Sequence, residues 1–312
     1  MITTDLDRFL ALARACAPDF GPATARAAFL VTPEGFARAE ESAQDNRYMA
    51  AAGYHAEAAL AEHRALQRAL SADLPVFAFP GDPATPDAVF PNNVFAIARP
   101  DAQVLPQAPP RLLVGRMRHA VRQAEAARAD IRGFFRDTAG AVEIDLSQQP
   151  HPCELTGSLV IDRARGLGFC GLSERCDEAG AALMHEAFGL RATLLFDLAA
   201  GEYHTNVVLA VLAGRAVLVS PAGFAEPAVA QAIAGLYAPH AVLLEPHQQA
   251  AFAANAIALS PQRVWMSAVA AASLDPARVQ ALARAGFELG QVPLAAIEAG
   301  GGSLRCCVAE VF

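Results

Sequence analysis

The chain has 312 residues, of which 54% are hydrophobic and 18% are charged, and its net charge is -8. This length and composition allow a large buried core and exclude disordered, fibrous and disulfide-scaffold proteins. No basic stripe is present to neutralise nucleic-acid phosphates, and no apolar run reaches the roughly 18 residues of a membrane-spanning helix, so we expect neither nucleic-acid nor membrane binding.

Predicted helices and short strands alternate along the chain. A helix is predicted over 5–17, and a strand over 28–32 leads into a long Ala-rich helix over 37–70. Further strands are predicted at 76–79, 88–98, 111–114, 159–162, 167–172, 207–212 and 307–312. Further helices are predicted at 116–135, 177–188, 225–237 and 276–286. This alternation indicates an α/β protein, and the recurring strand-strand-helix-strand order suggests several similar modules.

The residue types that are missing exclude several kinds of site. All 24 basic residues are arginine, which excludes a Schiff-base lysine and the phosphate-binding lysine of a P-loop. The six cysteines form no C-x-x-C pair, so no structural metal is expected. The acidic N-terminus lacks the basic start and apolar core of an export signal, so we expect a cytoplasmic protein.

A glycine pattern at 166–171 matches the G-x-G-x-x-G of dinucleotide-binding sites. Those glycines must lie between a strand and the start of a helix to bind a pyrophosphate. Here they lie within two consecutive predicted strands, where a β-hairpin turn needs a glycine at positive φ. The pattern therefore predicts a hairpin and no dinucleotide site.

A glycine-rich segment near the C-terminus precedes an arginine and a cysteine. Residues 300–302 are all glycine, and Arg305 and Cys306 follow shortly after. Glycines let a substrate approach main-chain N–H groups, and a cationic neighbour stabilises a reactive thiolate. The alternative is a tight turn into a buried C-terminal strand. From these residues alone, catalysis and a purely structural turn are equally supported.

Three more segments place polar side chains beside apolar runs. His204 stands at the start of a strand next to Asn206, which suits proton transfer, and Glu154 precedes another apolar run. The alternative for Glu154 is an ordinary exposed glutamate. Asn93 lies inside an apolar run that begins after Asp87, and a buried amide there must find a hydrogen-bond partner such as a ligand.

Taken together, FPNN, E-x-T-G-S, YHTN and GGGS-x-RC resemble the guanidino-group modifying enzymes of the pentein superfamily. This superfamily includes arginine deiminase, dimethylarginine hydrolase and the amidinotransferases of arginine metabolism. The resemblance runs from about Phe29 to Phe312 and is greatest to the citrulline-utilisation hydrolases, or citrulline ureidases. It implies a five-module α/β propeller with pseudo-fivefold symmetry over residues 29–312, a single catalytic domain preceded by an accessory helical segment, 1–28. No metal or organic cofactor is implied.

The resemblance also implies roles for individual residues. Cys306 matches the nucleophile, His204 the general acid and base, and Glu154 the catalytic carboxylate. Leu155 and Cys176 depart from the usual glycine and threonine of the motifs. The residues expected to bind substrate are Asn93, Asn206, Arg175, Asp87 and Arg116, with Arg175 matching an arginine that binds the substrate carboxylate in deiminases.

The expected substrate follows from two amides. In arginine deiminases, acidic residues bind the cationic guanidinium. The resemblance places Asn93 and Asn206 of this chain at the positions of those acidic residues. An amide offers both a donor and an acceptor without charge, which suits a neutral ureido group. We therefore expect citrulline to be hydrolysed to ornithine, carbon dioxide and ammonia through an S-carbamoyl intermediate on Cys306.

Three alternatives remain open at this point. The chain could be an arginine deiminase or dimethylarginine-type hydrolase, an amidinotransferase, or a pentein that binds a partner without catalysis. In each enzymatic case the partner is a small ureido or guanidino molecule. Homo-oligomer formation is also left open by the sequence.

Overall fold

Short strands and helices alternate throughout the structure, a computed structural model that describes all 312 residues. The strands are β1 Ile2–Thr3, β2 Ala27–Val31, β3 Val76–Phe79, β4 Phe95–Ala98, β5 Arg111–Val114, β6 Val142–Asp145, β7 Leu159–Asp162, β8 Leu167–Leu172, β9 Ala192–Asp197, β10 Leu209–Leu212, β11 Ala216–Val219, β12 Ala241–Leu243, β13 Ile257–Ser260, β14 Arg263–Ser267, β15 Glu288–Val292 and β16 Ala309–Val311. The helices are α1 Leu6–Ala15, α2 Ala56–Leu70, α3 Ala120–Ala126, α4 Ala129–Gly133, α5 Leu155–Ser158, α6 Glu178–Phe188, α7 Pro227–Leu236, α8 Pro246–Ala250, α9 Ala268–Ser273, α10 Pro276–Arg284 and α11 Ala295–Glu298.

One pairing pattern recurs five times among the strands. In each unit the first two strands pair antiparallel, and the third strand adds parallel to the second. The units are β4-β5-β6, β7-β8-β9, β10-β11-β12, β13-β14-β15 and β16-β2-β3. The predicted α/β class is confirmed, and the recurrence agrees with the expected modules.

The last strand joins both ends of the chain. β16 pairs antiparallel with β2 and also parallel with β4, so two units share a six-stranded sheet. The N-terminal segment adds to another unit, because β1 pairs parallel with β9 and α1 buries Phe9 against the core. None of the helices has both the length and the apolar character required to cross a lipid bilayer.

Local signals account for several element ends. Asp177 accepts a hydrogen bond from the Gly180 N–H at the start of α6, and Gly189 ends this helix in the left-handed region. The hairpin between β7 and β8 turns at Gly166, whose φ is 69°. The positive φ of Gly166 is the conformation that the sequence predicts for this turn.

Three predicted elements are wrong in extent. The long helix over 37–70 is an α-helix only in α2, with a separate 3-10 turn at Ser42–Gln44, because Ser42, Asp45 and Asn46 make hydrogen bonds that hold this part of the chain against the interior. The helix over 116–135 breaks at Arg128, whose ψ of 95° is not helical. The strand over 88–98 is reduced to β4, because Pro91–Asn93 forms a 3-10 turn.

Candidate active site

The polar side chains of the site lie just before the first strand of each unit. Short helical turns at Pro91–Asn93, Leu155–Ser158 and Thr205–Val207 interrupt the chain there and hold the side chains at the strand ends. These side chains are Asn93 before β4, Glu154 before β7, His204 and Asn206 before β10, Asn255 before β13, and Cys306 before β16. Residues more than 200 positions apart in sequence are thereby brought together.

Cys306 is buried among asparagine side chains. Its Sγ lies 3.2 Å from Nδ2 of Asn255 and 3.7 Å from Nδ2 of Asn206, and both amides can donate to it. The Cys306 N–H in turn donates to Oδ1 of Asn255 at 3.4 Å. Burial raises the pKa of the Cys306 thiol, and the Asn255 hydrogen bond acts in the opposite direction. The thiol is therefore protonated at neutral pH and needs a base before it can attack.

His204 and Glu154 form a buried pair. Nε2 of His204 lies 2.8 Å from Oε2 of Glu154, and both side chains are fully buried. Burial alone would raise the pKa of Glu154, but Arg175 and His204 hold it well below its usual range. Because the carboxylate is ionised, the His204 proton belongs on Nε2, which leaves the lone pair on Nδ1. Burial lowers the pKa of His204 while Glu154 opposes this, so the neutral ring is available as a base.

The guanidinium of Arg175 makes its hydrogen bonds with protein groups inside the site. Its Nη1 lies 3.2 Å from Glu154, its Nε donates to Asp45 at 2.9 Å, and its Nη2 donates to the Ser42 carbonyl at 3.1 Å. These contacts engage all three guanidinium nitrogens. Arg175 also lines the pocket beside Cys306, so its expected role in binding the substrate carboxylate stays a prediction. Its contact with Glu154 holds that carboxylate ionised and in place.

A pocket opens beside Cys306, and Asp87, Asn93, Arg122 and Tyr203 line it. Several buried polar atoms at this site have no partner, although buried polar groups are normally hydrogen-bonded. They are Asp87 Oδ1 and Asn93 Oδ1, whose residues line the pocket, and His204 Nδ1, which packs beside Asn93. Such atoms are the contacts that a polar substrate would complete.

Gly157 makes room for two of these atoms. A Cβ at this position would lie 2.5 Å from Asn93 Oδ1 and 2.9 Å from His204 Nδ1, closer than side chains can approach. The unpartnered amide oxygen and the unpartnered ring nitrogen therefore both pack against the Gly157 main chain. A side chain at this position would displace them.

Arg116 is the expected substrate ligand that the structure does not bring to the pocket. Its guanidinium donates to the Ser147 carbonyl at 2.8 Å and lines a separate cavity. Sequence reasoning also missed Asn255 and Arg122. Asn255 directly precedes an apolar strand as Asn93 and Asn206 do, and that shared position could have revealed it. No cluster of three His, Cys, Asp or Glu side chains is arranged to hold a metal ion.

A buried thiol, imidazole and carboxylate at the strand ends of repeated α/β units define a pentein-type hydrolase of non-peptide C–N bonds. The family model described as "N,N dimethylarginine dimethylhydrolase, eukaryotic" matches residues 32–312. The chain belongs to this family, and the suspected pentein relationship is confirmed. No curated protein sequence matches the chain.

Solved structures with the same fold come from related enzymes. The substrate-bound N-terminal domain of ArgZ, an arginine dihydrolase from cyanobacteria, is 18% identical with a TM-score of 0.77 over 91% of this chain and 97% of that domain. AgrE in complex with L-arginine is 18% identical with a TM-score of 0.75 over 92% of this chain, which spans 40% of AgrE. A dimethylarginine dimethylaminohydrolase adduct with S-methyl-L-thiocitrulline is 18% identical with a TM-score of 0.66 over 92% and 99%. At this identity the likeness establishes the fold.

Proposed function

We propose that this enzyme hydrolyses the ureido group of citrulline. The observation that carries the proposal is the set of three amides at the reactive sulfur: Asn206 and Asn255 contact Cys306, and Asn93 lines the same pocket. No carboxylate forms a hydrogen bond to the thiol, and the Glu154 oxygens already bind cations and N–H groups. Amides match the donors and acceptors of a neutral ureido group, and none of the three supplies a negative charge to a guanidinium at the sulfur.

The reaction begins at the sulfur. Nδ1 of His204 takes the thiol proton of Cys306, and the thiolate attacks the ureido carbon. The Asn206 and Asn255 amides, which donate to the thiol, lie close enough to stabilise negative charge that develops there. His204 then protonates the leaving nitrogen as its bond to the ureido carbon breaks, and ornithine is released.

Water completes the reaction. His204 accepts a proton from a water molecule, whose oxygen attacks the S-carbamoyl carbon and releases Cys306. The carbamic acid formed decomposes to carbon dioxide and ammonia, so citrulline and one water account for all the products. Glu154 stabilises the imidazolium at both steps from 2.8 Å, and Arg175 and Asp45 position Glu154.

A guanidino substrate is the second candidate, and a specific observation favours it. Asp87 is a buried carboxylate that lines the pocket and has one oxygen without a partner. Such an oxygen could bind a guanidinium, as in a dimethylarginine or arginine hydrolase, or the α-ammonium group of either substrate. On the same fold, ArgZ is an arginine dihydrolase with a substrate-bound structure, and AgrE has a structure in complex with L-arginine.

Product analysis separates the two candidates. The purified enzyme is incubated separately with citrulline, arginine and N,N-dimethylarginine, and ornithine, citrulline, ammonia and dimethylamine are measured. We expect ornithine from citrulline, none of it with Cys306→Ser, and no change when an amine acceptor is added. Citrulline formed from arginine or dimethylarginine, with citrulline itself stable, would contradict the proposal. Capture of the group by an amine would indicate a transferase.

We also infer that the five units surround a common axis as a propeller. Residues of β7, β10, β13 and β16, the first strands of four units, line one cavity, which we call the central cavity. β16 pairs with β4, the first strand of the fifth unit. This arrangement explains why the side chains that precede these strands converge. An experimental structure with five equivalent rotations between units would test it.

A further inference from the structure

His119 is a partly buried histidine at the start of α3 that takes no direct part in the proposed reaction. Its Nε2 lies 3.1 Å from Oδ2 of Asp45, and the two side chains are 12% and 17% exposed. Because a carboxylate only accepts hydrogen bonds, His119 donates through Nε2. Burial opposes ionisation of Asp45, but Arg175 and His119 hold its pKa below the usual value. The contact is therefore charge-assisted, which makes it stronger than a hydrogen bond between neutral groups.

The Asp45 carboxylate also holds the guanidinium of Arg175. Its Oδ2 accepts from Nε at 2.9 Å and its Oδ1 accepts from Nη2, and two parallel bonds of this kind fix the plane of a guanidinium. The remaining nitrogen, Nη1, lies 3.2 Å from Oε2 of Glu154. A continuous chain of contacts therefore runs from the partly exposed His119 to the buried Glu154.

The main chain beside His119 reaches the same glutamate. The N–H of Arg118 donates to Oε1 of Glu154 at 3.0 Å, while Oε2 faces Nε2 of His204 at 2.8 Å. This part of the chain thus reaches both oxygens, Oε1 directly through a main-chain N–H and Oε2 through the two intervening side chains. Both contacts restrict the direction in which the carboxylate points at His204.

The segment that carries Asp45 has other anchors. Ser42 Oγ donates to Asp87 at 2.6 Å, and Asn46 Nδ2 donates to a main-chain carbonyl of the glycine-rich turn at 3.2 Å. These bonds do not involve His119, so its removal should leave the segment in place and change mainly the direction of the Asp45 carboxylate. A structural role and a positioning role of His119 can therefore be separated by experiment.

We propose that His119 is a positioning residue that acts through the Asp45–Arg175 ion pair on the catalytic carboxylate. Loss of its N–H would let the Asp45 carboxylate turn, and the guanidinium held by it would turn as well. Glu154 would then lose its 3.2 Å contact and part of its fixed direction toward His204. This inference rests on the proposed roles of His204 and Glu154 as base and carboxylate, but not on the choice of citrulline as substrate.

Steady-state kinetics of two substitutions tests the role. His119→Ala removes the donor, whereas His119→Gln keeps an N–H that can reach Asp45. The substrate is whichever of citrulline, arginine and N,N-dimethylarginine the unaltered enzyme hydrolyses. We expect kcat to fall about tenfold in His119→Ala, as for the loss of one hydrogen bond to a charged group, with KM changed less than about threefold. His119→Gln should keep at least about half of the unaltered kcat, because it restores the donor.

A matched histidine provides the control. His151 also contacts a carboxylate, with its Nδ1 2.8 Å from Asp177, but neither side chain is hydrogen-bonded to the catalytic carboxylate. His151→Ala should therefore leave kcat and KM unchanged. Asp45→Asn tests the pathway: in that background His119→Ala should change kcat less than about twofold, because the contact through which it acts is already weakened.

An unchanged kcat in a folded His119→Ala enzyme, a rise in KM alone, or an equal loss in His119→Gln would overturn the inference. So would an undiminished effect in the Asp45→Asn background. Thermal unfolding shows whether each variant folds; if His119→Ala does not, His119→Phe keeps a ring without a donor and is judged by the same criteria. Failure of the citrulline assignment appears in the unaltered enzyme, whereas failure of this inference appears only in the variants, so the two are distinguishable. An unaltered enzyme that is inactive toward all three substrates would overturn both.

Discussion

Replacing Glu154 by glutamine tests the central electrostatic contact of the site. The carboxylate lies 2.8 Å from Nε2 of His204 with both groups buried. When His204 takes up a proton, Coulomb attraction at this distance amounts to about 6 kcal/mol for an effective dielectric constant of about 20. The amide removes this attraction, and its NH₂ group can also donate to Nε2 and so favour the wrong tautomer. We expect kcat to fall on the order of 10³- to 10⁴-fold.

The pH profile supplies a second measurement with a definite sign. Glu154 raises the pKa of His204 against the effect of burial, so its loss should lower that pKa further. The acid limb of kcat/KM reflects protonation of the base, and it should therefore move to lower pH. Initial rates of ornithine formation from pH 4 to 9 measure both effects in one experiment.

The control for this experiment is Glu174→Gln. Glu174 is an exposed carboxylate that pairs with Arg118, and its loss should leave the rate and the profile unchanged. Thermal unfolding of both variants shows whether the fold is retained. A folded Glu154→Gln enzyme that keeps more than a tenth of the wild-type kcat, or whose acid limb moves to higher pH, would refute the assigned role.

Three other substitutions give separate tests. Cys306→Ser should abolish turnover, whereas Cys307→Ser, whose thiol contacts a main-chain carbonyl, should keep it. Asn206→Asp should lower kcat/KM for citrulline by at least about a hundredfold, because the ionised carboxylate repels the Cys306 thiolate. With citrulline and arginine supplied together, the preference should shift toward arginine, because the carboxylate attracts the guanidinium. Gly157→Ala should lose activity and about 1–3 kcal/mol of stability in urea unfolding, whereas Gly235→Ala, in open space, should be neutral or slightly stabilising.

Elements with strong local signals could be predicted from the sequence. The hairpin at Gly166 and helix α6 carry their own turn and cap residues, and the structure has both. The segment between Glu41 and Arg47 shows the opposite case. Its composition suits a helix, but the ion pair between Asp45 and Arg175 is a tertiary contact of two residues 130 positions apart. No local pattern contains that information.

The candidate site shows the same difference between local signals, which the sequence reveals, and tertiary contacts, which it does not. A polar side chain before an apolar strand was a usable signal: Cys306 and Asn93 line one pocket, and His204 pairs with Glu154 and packs beside Asn93 at Gly157. The sequence signal could not show how an arginine side chain is oriented. The direction of the Arg116 side chain depends on which side of the sheet its backbone faces after β5, and in the structure it lines another cavity.

The position of β16 ties the two edges of one sheet together. This strand inserts between β2 and β4, and the Cys306 sulfur lies three residues before it. Without β16, the facing edges of β2 and β4 would present unpaired N–H and C=O groups. A chain cut before β16 would therefore expose two open sheet edges, which favour aggregation.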